Sequence, residues 1–315
     1  MCRFSRAALV CGMVLGLVYG AMGSLSASAA AEEPQTYQLR FKFIPQQELY
    51  YVTQNDAEYL VEHALARETV PHTSMNIRHI KVLDLNPDGS ANVELIMDRA
   101  RMTANNGGVQ SLYDSRDAAH VPTEFAPVHL LIGRPLAAQL TPLGKVIPPK
   151  DASAFDKPTN VEQYDLLFLL PEQPIAIGGT WNDRFEVGIF IAAESMLRRQ
   201  IKMERRYKLK SVENGIATIS QVTVPLSPLH DPFQESQLIQ RKPSGTLKFD
   251  IEQGCLIDRQ FQIDEKVVGY SGPGSALTVK VIKIDRQVAA DQIKHVNLTK
   301  PLVPVRVAEL PQPKP

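Results

Sequence analysis

Cysteine is scarce in this chain: Cys2, Cys11 and Cys255 are the full set. Two of them lie in an N-terminal stretch that reads as a leader. A processed chain keeps Cys255 alone, so it holds no intrachain disulfide and no cysteine-rich zinc site. The neighbours of Cys255 are strand-like, and a small buried residue is the expected role. There is also no surplus of charge, with 34 basic and 34 acidic residues. Nothing in that balance suggests nucleic acid or an acidic solvating tail. The seven histidines stand at 63, 72, 79, 120, 129, 230 and 295. None is spaced as His-x-x-x-His or His-x-x-Glu-His, so any zinc site would need distant assembly. No glycine-rich phosphate loop or dinucleotide fingerprint occurs. The expectation is therefore no cofactor, no metal and no catalytic residue; ligand-binding residues are not identified from the sequence.

Long apolar runs are equally rare. The one present is Ala7–Met22, preceded by Arg3 and Arg6 and followed by small residues with Ala-Ser-Ala at 27–29. That order is a cleavable secretory signal over residues 1–31. Its rival, a retained anchor, meets a run of about 16 residues broken by glycine, short of the roughly 20 needed to span. Cys11 sits too early for a lipoprotein signal, and Arg3 and Arg6 are not a twin-arginine pair. The mature chain carries 32 basic and 34 acidic residues, near −2. The expected address is secreted or periplasmic, with a soluble mature protein.

What the chain does have is alternation. Thr36–Phe43 reads TYQLRFKF, Leu247–Ile251 reads LKFDI, and Leu277–Ile284 reads LTVKVIKI. Apolar residues at period two predict antiparallel strands with one buried face. Turn signals recur at Pro87-Asp88-Gly89, Asn105–Gly108, Pro142-Leu143-Gly144, Glu213-Asn214-Gly215 and Gly272-Pro273-Gly274. Helical pattern is confined to a short stretch capped by Thr123 and ending at Gly133, with Pro127 restricted to its first turn. Residues 161–170 fit a short helix or a buried strand. Asn55–Ala66 has helical composition, but its strand-rich surroundings favour a continuing strand. From Val296 the chain holds five prolines in 20 residues, which predicts an extended tail.

The turn at Asn86–Gly89 has a counterpart at Glu213–Gly215. Ile80, Val82 and Leu85 match Tyr207, Leu209 and Val212, and Gly89, Ala91 and Val93 match Gly215, Ala217 and Ile219. Upstream, Glu48-Leu49-Tyr50 matches Gly179-Thr180-Trp181. Downstream, Gly108–Asp114 matches Gly245–Asp250. Three blocks in one order predict two tandem related halves. The expected fold class is mainly β, each half a curved, half-barrel-like antiparallel sheet with one short helix. The expected divisions are 1–31 leader, 32–150 first repeat, 151–174 linker or short helix, 175–288 second repeat and 289–315 proline-rich tail.

Ile175–Trp181, Thr141–Val146 and the helix before Gly133 together resemble an uncharacterised family of exported bacterial β-rich proteins. The family shows a helix before a Pro-x-Gly-Lys-Val hairpin and a Leu-Pro … Gly-x-x-Trp segment opening the second half. The likeness covers most of residues 36–288, and its motifs are turn and core features. The long curved sheets are also similar, more loosely, to the periplasmic lipoprotein-carrier architecture. That resemblance implies an apolar concavity able to hold a lipid.

Several stretches look chemical and do not hold up. Asp84, Asn86, Asp88 and Gly89 begin like a calcium loop, but the twelfth position is Leu95 and Glu94 falls one too early. Pro87 and Asp-Gly suit a hairpin turn instead. Ser271 lacks the glycine at 273 that a nucleophile elbow needs. His230-Asp231 sits in a proline-flanked loop. Arg198, Arg199, Lys202, Arg205, Arg206, Lys208 and Lys210 read as a solvated strand face, with an anionic surface as the sharper alternative. Trp181 and Phe185 read as core. Asn297-Leu298-Thr299 is a glycosylation acceptor only in a eukaryotic secretory setting.

The leading functional reading is a non-enzymatic exported binding protein holding a lipid or other apolar molecule in a curved sheet. The alternatives are a structural or protein-interaction component of the cell envelope, and a hydrolase that brings His129, His230 or Asp231 together.

Overall fold

The alternating segments at Leu247 and Leu277 become ladder strands, whereas of Thr36–Phe43 only Thr36–Tyr37 does. The computed structural model describes residues 35–303, apart from 65, 118 and 148–165. The leader, most of the linker and the last residues of the tail lie outside the described residues. The strands are β1 (Thr36–Tyr37), β2 (Glu48–His63), β3 (Ala66–Leu85), β4 (Ala91–Asn106), β5 (Val109–Asp114), β6 (Leu136–Leu140) and β7 (Val146–Ile147). Then follow β8 (Ile175–Ala176), β9 (Thr180–Phe190), β10 (Arg198–Glu213), β11 (Ile216–Pro225), β12 (Ser244–Asp250), β13 (Cys255–Val268) and β14 (Ser275–Val288). Two short α-helices interrupt them, α1 (Ala126–His129) and α2 (Pro232–Leu238).

Twelve strands form one antiparallel sheet in the order β7-β6-β4-β3-β2-β14-β13-β12-β11-β10-β9, with β5 added to the far end of β4. β1 and β8 pair separately. The fold is mainly β, and the sheet stays open, with β7 and β9 as unjoined edges. The first long strand pairs with the last where β2 meets β14, from Tyr50 opposite Val288 to His63 opposite Ser275. Residues 55–63 continue β2, as their strand-rich setting predicts.

Asn86–Ser90 is a hairpin turn: the Asn86 N–H donates to the Ser90 carbonyl (2.8 Å) and the Gly89 N–H to that of Asn86 (3.0 Å). Gly89 has φ +80°, which favours glycine. The Asp88 carboxylate accepts from both the N–H and the hydroxyl of Ser90. Those bonds satisfy the acid that a calcium loop would have turned to an ion.

Before α1 a 3-10 turn covers Thr123–Phe125, and Pro127 sits in the first helical turn as expected. Thr123 makes no capping bond, a departure from its expected role. Gly133 (φ +70°) ends the segment, and its N–H donates to the Met97 carbonyl (2.8 Å). α2 falls in a stretch read as loop. Asp231 caps it by accepting from the Gln234 N–H (2.8 Å), and Pro232 occupies the first position. Asp-Pro-x-Gln is a helix-start signature, so the signal was present.

The sheet curls so that strands from early and late in the chain face one interior. At one end that interior is packed solid. Ile80, Val82, Val93, Leu140, Leu209, Ile219, Leu247 and Phe249 form a single cluster there. Two extended segments fill it, with Leu39 and Phe41 from one and Leu166, Phe168 and Leu170 from the other. The described part of 161–170 is thus neither helix nor ladder strand. The Phe41 N–H donates to the Pro142 carbonyl (2.8 Å), Lys42 to Gly254 (3.1 Å) and Leu170 to Leu143 (2.9 Å). The rings of Phe41, Phe168 and Phe249 meet edge to face at 5.3–6.0 Å. Burying each such side chain contributes about 1.5–3 kcal/mol.

Gly144 marks how closely this plug approaches. A Cβ there would lie 2.0 Å from the Phe168 carbonyl oxygen, and φ is +82°.

The hairpins β3–β4 and β10–β11 share one irregularity, and β3–β4 has a second slip, between Ile77 and Arg78, that β10–β11 lacks. The β3–β4 register slips between Val82 and Asp84, and the β10–β11 register between Leu209 and Ser211. Val82 exchanges backbone bonds with Gln46 and Gln47 (2.8 and 2.9 Å), as Leu209 does with Gly178 and Gly179 (2.7 and 3.0 Å). Two block matches shift. Leu49 faces Ile80 where Trp181 faces Tyr207, whereas the sequence match sets Tyr50 against Trp181. The strand placed on β4 as β12 is on β11 is β6, whereas β5 lies at the other end of β4.

The tail's first part is packed rather than loose. Leu298 is 2% exposed beside Val52, Met75 and Ile77 on the outer face. Gln54, fully buried, accepts from the Leu302 N–H (2.6 Å). Among the described residues no helix is long and apolar enough to cross a membrane.

Candidate functional site

Along several strands the inward face changes character part-way. On β2 it runs from Tyr51 to Thr53 and Asn55; on β3 from Val82 and Ile80 to Arg78, Asn76, Ser74 and His72. On β11 it runs from Ala217 and Ile219 to Gln221 and Thr223. Where the apolar residues stop, the interior is hollow. A cavity of about 650 Å³ opens there, lined from β2, β3, β4, β9, β10, β11, β13 and β14 and from Gln240–Pro243 after α2. Leu167–Leu169 separates it from the plug. Its size is that of a small-molecule pocket.

The lining is mixed. Met97, Met102, Phe185, Phe261, Ile263 and Val281 are its apolar part. Among the described lining residues Arg78, Lys145, Arg205, Arg241, Arg259 and Lys283 are basic and Asp183 is acidic. The concavity expected to be apolar is apolar where it is filled and mixed, with many polar side chains, where it is open.

A buried polar row crosses the seam where β14 pairs with β2. Arg259 on β13 faces Asp285 on β14, which faces Thr53 on β2, which faces Asn76 on β3. Asp285 is fully buried. It accepts from Arg259 Nε (2.8 Å) and Nη2 (2.5 Å) and from the Thr53 hydroxyl (2.6 Å); Arg78 Nη2 stands 3.6 Å away. Arg78 also donates to Thr53 (3.0 Å) and to Asn76 (2.9 Å). Burial alone would raise the Asp285 pKa, but the charges of Arg259, Lys283 and Arg78 and the Thr53 hydroxyl outweigh it and hold it at about 2.

On the opposite wall Arg205 Nη1 donates to Asp183 (2.8 Å), and its guanidinium lies 4.2 Å from the Phe185 ring centroid. Beside it Tyr207 is 1% exposed. Trp181 stacks on its ring at 5.3 Å and 14°. The Tyr207 hydroxyl is buried beside the Arg205 guanidinium. Burial pushes its pKa upward, with the Arg205 and Arg259 charges opposing that push and the Asp183 charge adding to it.

The basic cluster expected on one solvated face is split by the strand's alternation. Lys202, Arg206, Lys208 and Lys210 point outward, while Arg205 shares the inward face with Ile201, Met203, Tyr207 and Leu209. A charged residue in phase with an apolar set was the available signal, and Arg259, in phase with Phe261 and Ile263, repeats it. Phe185 lines the cavity rather than only filling core. His129, His230 and Asp231 do not line it. His129 Nδ1 bonds the Tyr113 hydroxyl (3.0 Å), and Asp231 caps α2. Cys255 is buried, and its thiol pKa is pushed up to about 11 by that burial.

Fold and site together define an open, curled antiparallel sheet, plugged at one end and hollow at the other. No family model matches the chain, and no curated protein matches it. Among solved structures it is similar to a chain described under lipid–protein interactions in lipovitellin, at 8% identity and TM-score 0.42, over 79% of this chain and 26% of that one. The chain therefore spans about a quarter of that relative's length. It is also similar to DynF from the dynemicin biosynthesis pathway of Micromonospora chersina (8%, TM-score 0.21, 84% and 90% covered). A further likeness is to an outer membrane lipoprotein-sorting protein domain from Vibrio parahaemolyticus (8%, TM-score 0.15, 78% and 90% covered). These likenesses are too distant to carry a ligand or an activity to this chain.

Proposed function

We propose that this is an exported, non-enzymatic binding protein that takes an amphipathic small molecule into the hollow end of its curled sheet. One observation carries the reading: the cavity of about 650 Å³, walled by strands from both parts of the chain, with apolar and polar groups side by side. An apolar chain fits against Met97, Met102, Ile263 and Val281, leaving the polar row for the other end of the ligand. Residues 1–31 support export. We read the matched slips at Val82 and Leu209 as support for two related tandem halves. Such halves would enclose the cavity from two sides.

Native mass spectrometry after incubation with a mixture of fatty acids, fatty alcohols and lysolipids tests the reading. A mass adduct is expected on the native chain and not on Thr223→Trp, which fills the cavity. No adduct on the native chain, or equal adducts on both, refutes it.

A second reading, docking to an envelope protein, has its own support. The β9–β10 hairpin tip exposes Ile191 (40%), Met196 (88%) and Leu197 (69%) together. If it holds, photo-crosslinking from position 196 captures one discrete partner in envelope extracts, and Leu197→Glu abolishes the capture. No discrete product rejects it.

A further inference from the structure

One arginine away from the cavity is left with its donors unused. The Nε and Nη2 atoms of Arg99 are buried and have no hydrogen-bond partner among the described residues. Those two atoms share one edge of the guanidinium, the edge that takes a carboxylate or a phosphate group. Arg259 shows the edge in use: its Nε and Nη2 both donate to the Asp285 carboxylate (2.8 and 2.5 Å). Buried donors without a partner are rare in native structures, because they lose water and gain nothing in its place.

Strand register explains the surroundings of Arg99. It pairs with Ile77, so it shares the outer face on which Ile77 packs beside Leu298. On the other side of β4, Arg101 stands opposite Asp114 of β5. The bonding runs one residue further. The Ser115 N–H donates to the Ala100 carbonyl (2.9 Å), and the Ser115 hydroxyl accepts from the Ala100 N–H (3.1 Å). The next residue, Arg116, therefore falls beside Arg99. Burial and the Arg116 charge hold the Arg99 pKa below its ordinary value, and the Asp114 charge opposes them. The nearby acids are already engaged. Asp114 accepts from Arg101 Nη1 (3.4 Å) and pairs with Arg116 Nε (3.6 Å). Asp98 is bonded to His79 (2.8 Å), and Asp117 accepts from the Ala119 N–H (3.4 Å). Like charges on adjoining strands are unfavourable, and an anion between Arg99 and Arg116 would relieve that repulsion and fill the open edge.

We propose an anion site on the outer face of β4, built on Arg99, that takes a carboxylate or phosphate group. The Arg99 Nε and Nη2 atoms donate to its oxygens. Arg116, whose side chain is 60% exposed, adds a second positive charge from the solvent side. The Arg101–Asp114 pair holds the end of β5 against β4. None of these residues lines the cavity, so the site stands apart from the ligand reading given to the hollow end.

Titration of the full mature chain with inorganic phosphate, acetate and glycerol 3-phosphate in chloride-free buffer tests this, read by calorimetry and by the Arg99 Nε–Hε NMR signal. At least one of the three should move that signal saturably, and the tighter of phosphate and acetate names the group. If phosphate is preferred, glycerol 3-phosphate binding as tightly assigns the site to an esterified phosphate, and clearly weaker binding assigns it to the free anion. Arg99→Gln should weaken the preferred anion at least about tenfold, the range of one hydrogen bond to a charged group. Its melting temperature without anion should be unchanged or higher, because an unpaired buried charge has gone. Arg116→Gln, at an exposed position, should weaken the anion less, and it serves if Arg99→Gln does not fold. Arg184→Gln, on β9, is the control and should leave the affinity unchanged. No saturable movement at Arg99, affinity untouched by both site substitutions, or an equal loss in Arg184→Gln overturns the proposal.

Discussion

The two ends of the curled interior are built by the same strands and do opposite things. At the plugged end β3 offers Val82 and Ile80, β11 offers Ala217 and Ile219, and two extended segments fill the space between. A few residues further along, β3 offers Arg78 and Asn76, β11 offers Gln221 and Thr223, and the space stays open. Stability is concentrated at the first end and recognition at the second. A strand's alternation says which face points inward; the kind of residue on that face says whether the interior there is filled.

Substitutions should separate the two ends. The largest effect belongs to the plug. Phe249→Ala removes a fully buried ring and should cost about 4 kcal/mol by urea unfolding. Met102→Ala, at the half-buried cavity wall, should cost about 1 kcal/mol. Equal losses at the two sites would erase the distinction.

Next comes the seam. Arg259→Met leaves the buried Asp285 carboxylate short of its closest cation and should cost about 3 kcal/mol at neutral pH. The sign with pH follows from the lowered Asp285 pKa. Its contribution is fully present above the unfolded value near 4 and is lost as pH falls towards about 2. Native unfolding free energy should therefore drop across that window, and the drop should shrink in Arg259→Met. An unchanged acid limb in the variant would show that the pair is not responsible.

A smaller contrast compares two glycines of positive φ. Gly144→Ala drives a Cβ into the Phe168 carbonyl and should cost well over 1 kcal/mol, whereas Gly178, with nothing near, should cost about 1 kcal/mol through backbone strain alone. Matching melting temperatures would place the plug's approach wrongly. The smallest effect is chemical. With its pKa pushed up to about 11, Cys255 should alkylate at pH 8 far more slowly in native than in urea-unfolded protein. Equal labelling rates would mean the thiol is open.

Much of this architecture was legible in the residues. Period-two alternation foretold β12 and β14, and the strand-rich setting of residues 55–63 foretold their place in β2 although their composition suits a helix. Asp-Gly and Asn-Gly foretold the hairpins. The site was not legible in the same way. Arg205 sits in a run of basic residues, and only strand phase separates it from its outward neighbours. Asp285 and Arg259 look like ordinary strand charges until the β13–β14–β2 register sets them opposite each other. The plug is the clearest gap: nothing local in Leu39–Phe43 or Leu166–Leu170 says that these segments fill an interior instead of extending a sheet. Their place is set by contacts with Pro142, Leu143 and Gly254, far away in sequence. Helix α2 was readable from Asp231, Pro232 and Gln234 and was missed.

The central claim is that ligand occupies the hollow end of the interior. Methionine methyl groups test it, since Met97 and Met102 line the cavity while Met75, packed under the C-terminal strap on the outer face, is a control outside the interior. Methyl-labelled NMR during titration with dodecanoate should shift the Met97 and Met102 signals saturably and leave Met75 in place. Shifts at Met75 alone, equal shifts at all three, or none at all would contradict the account.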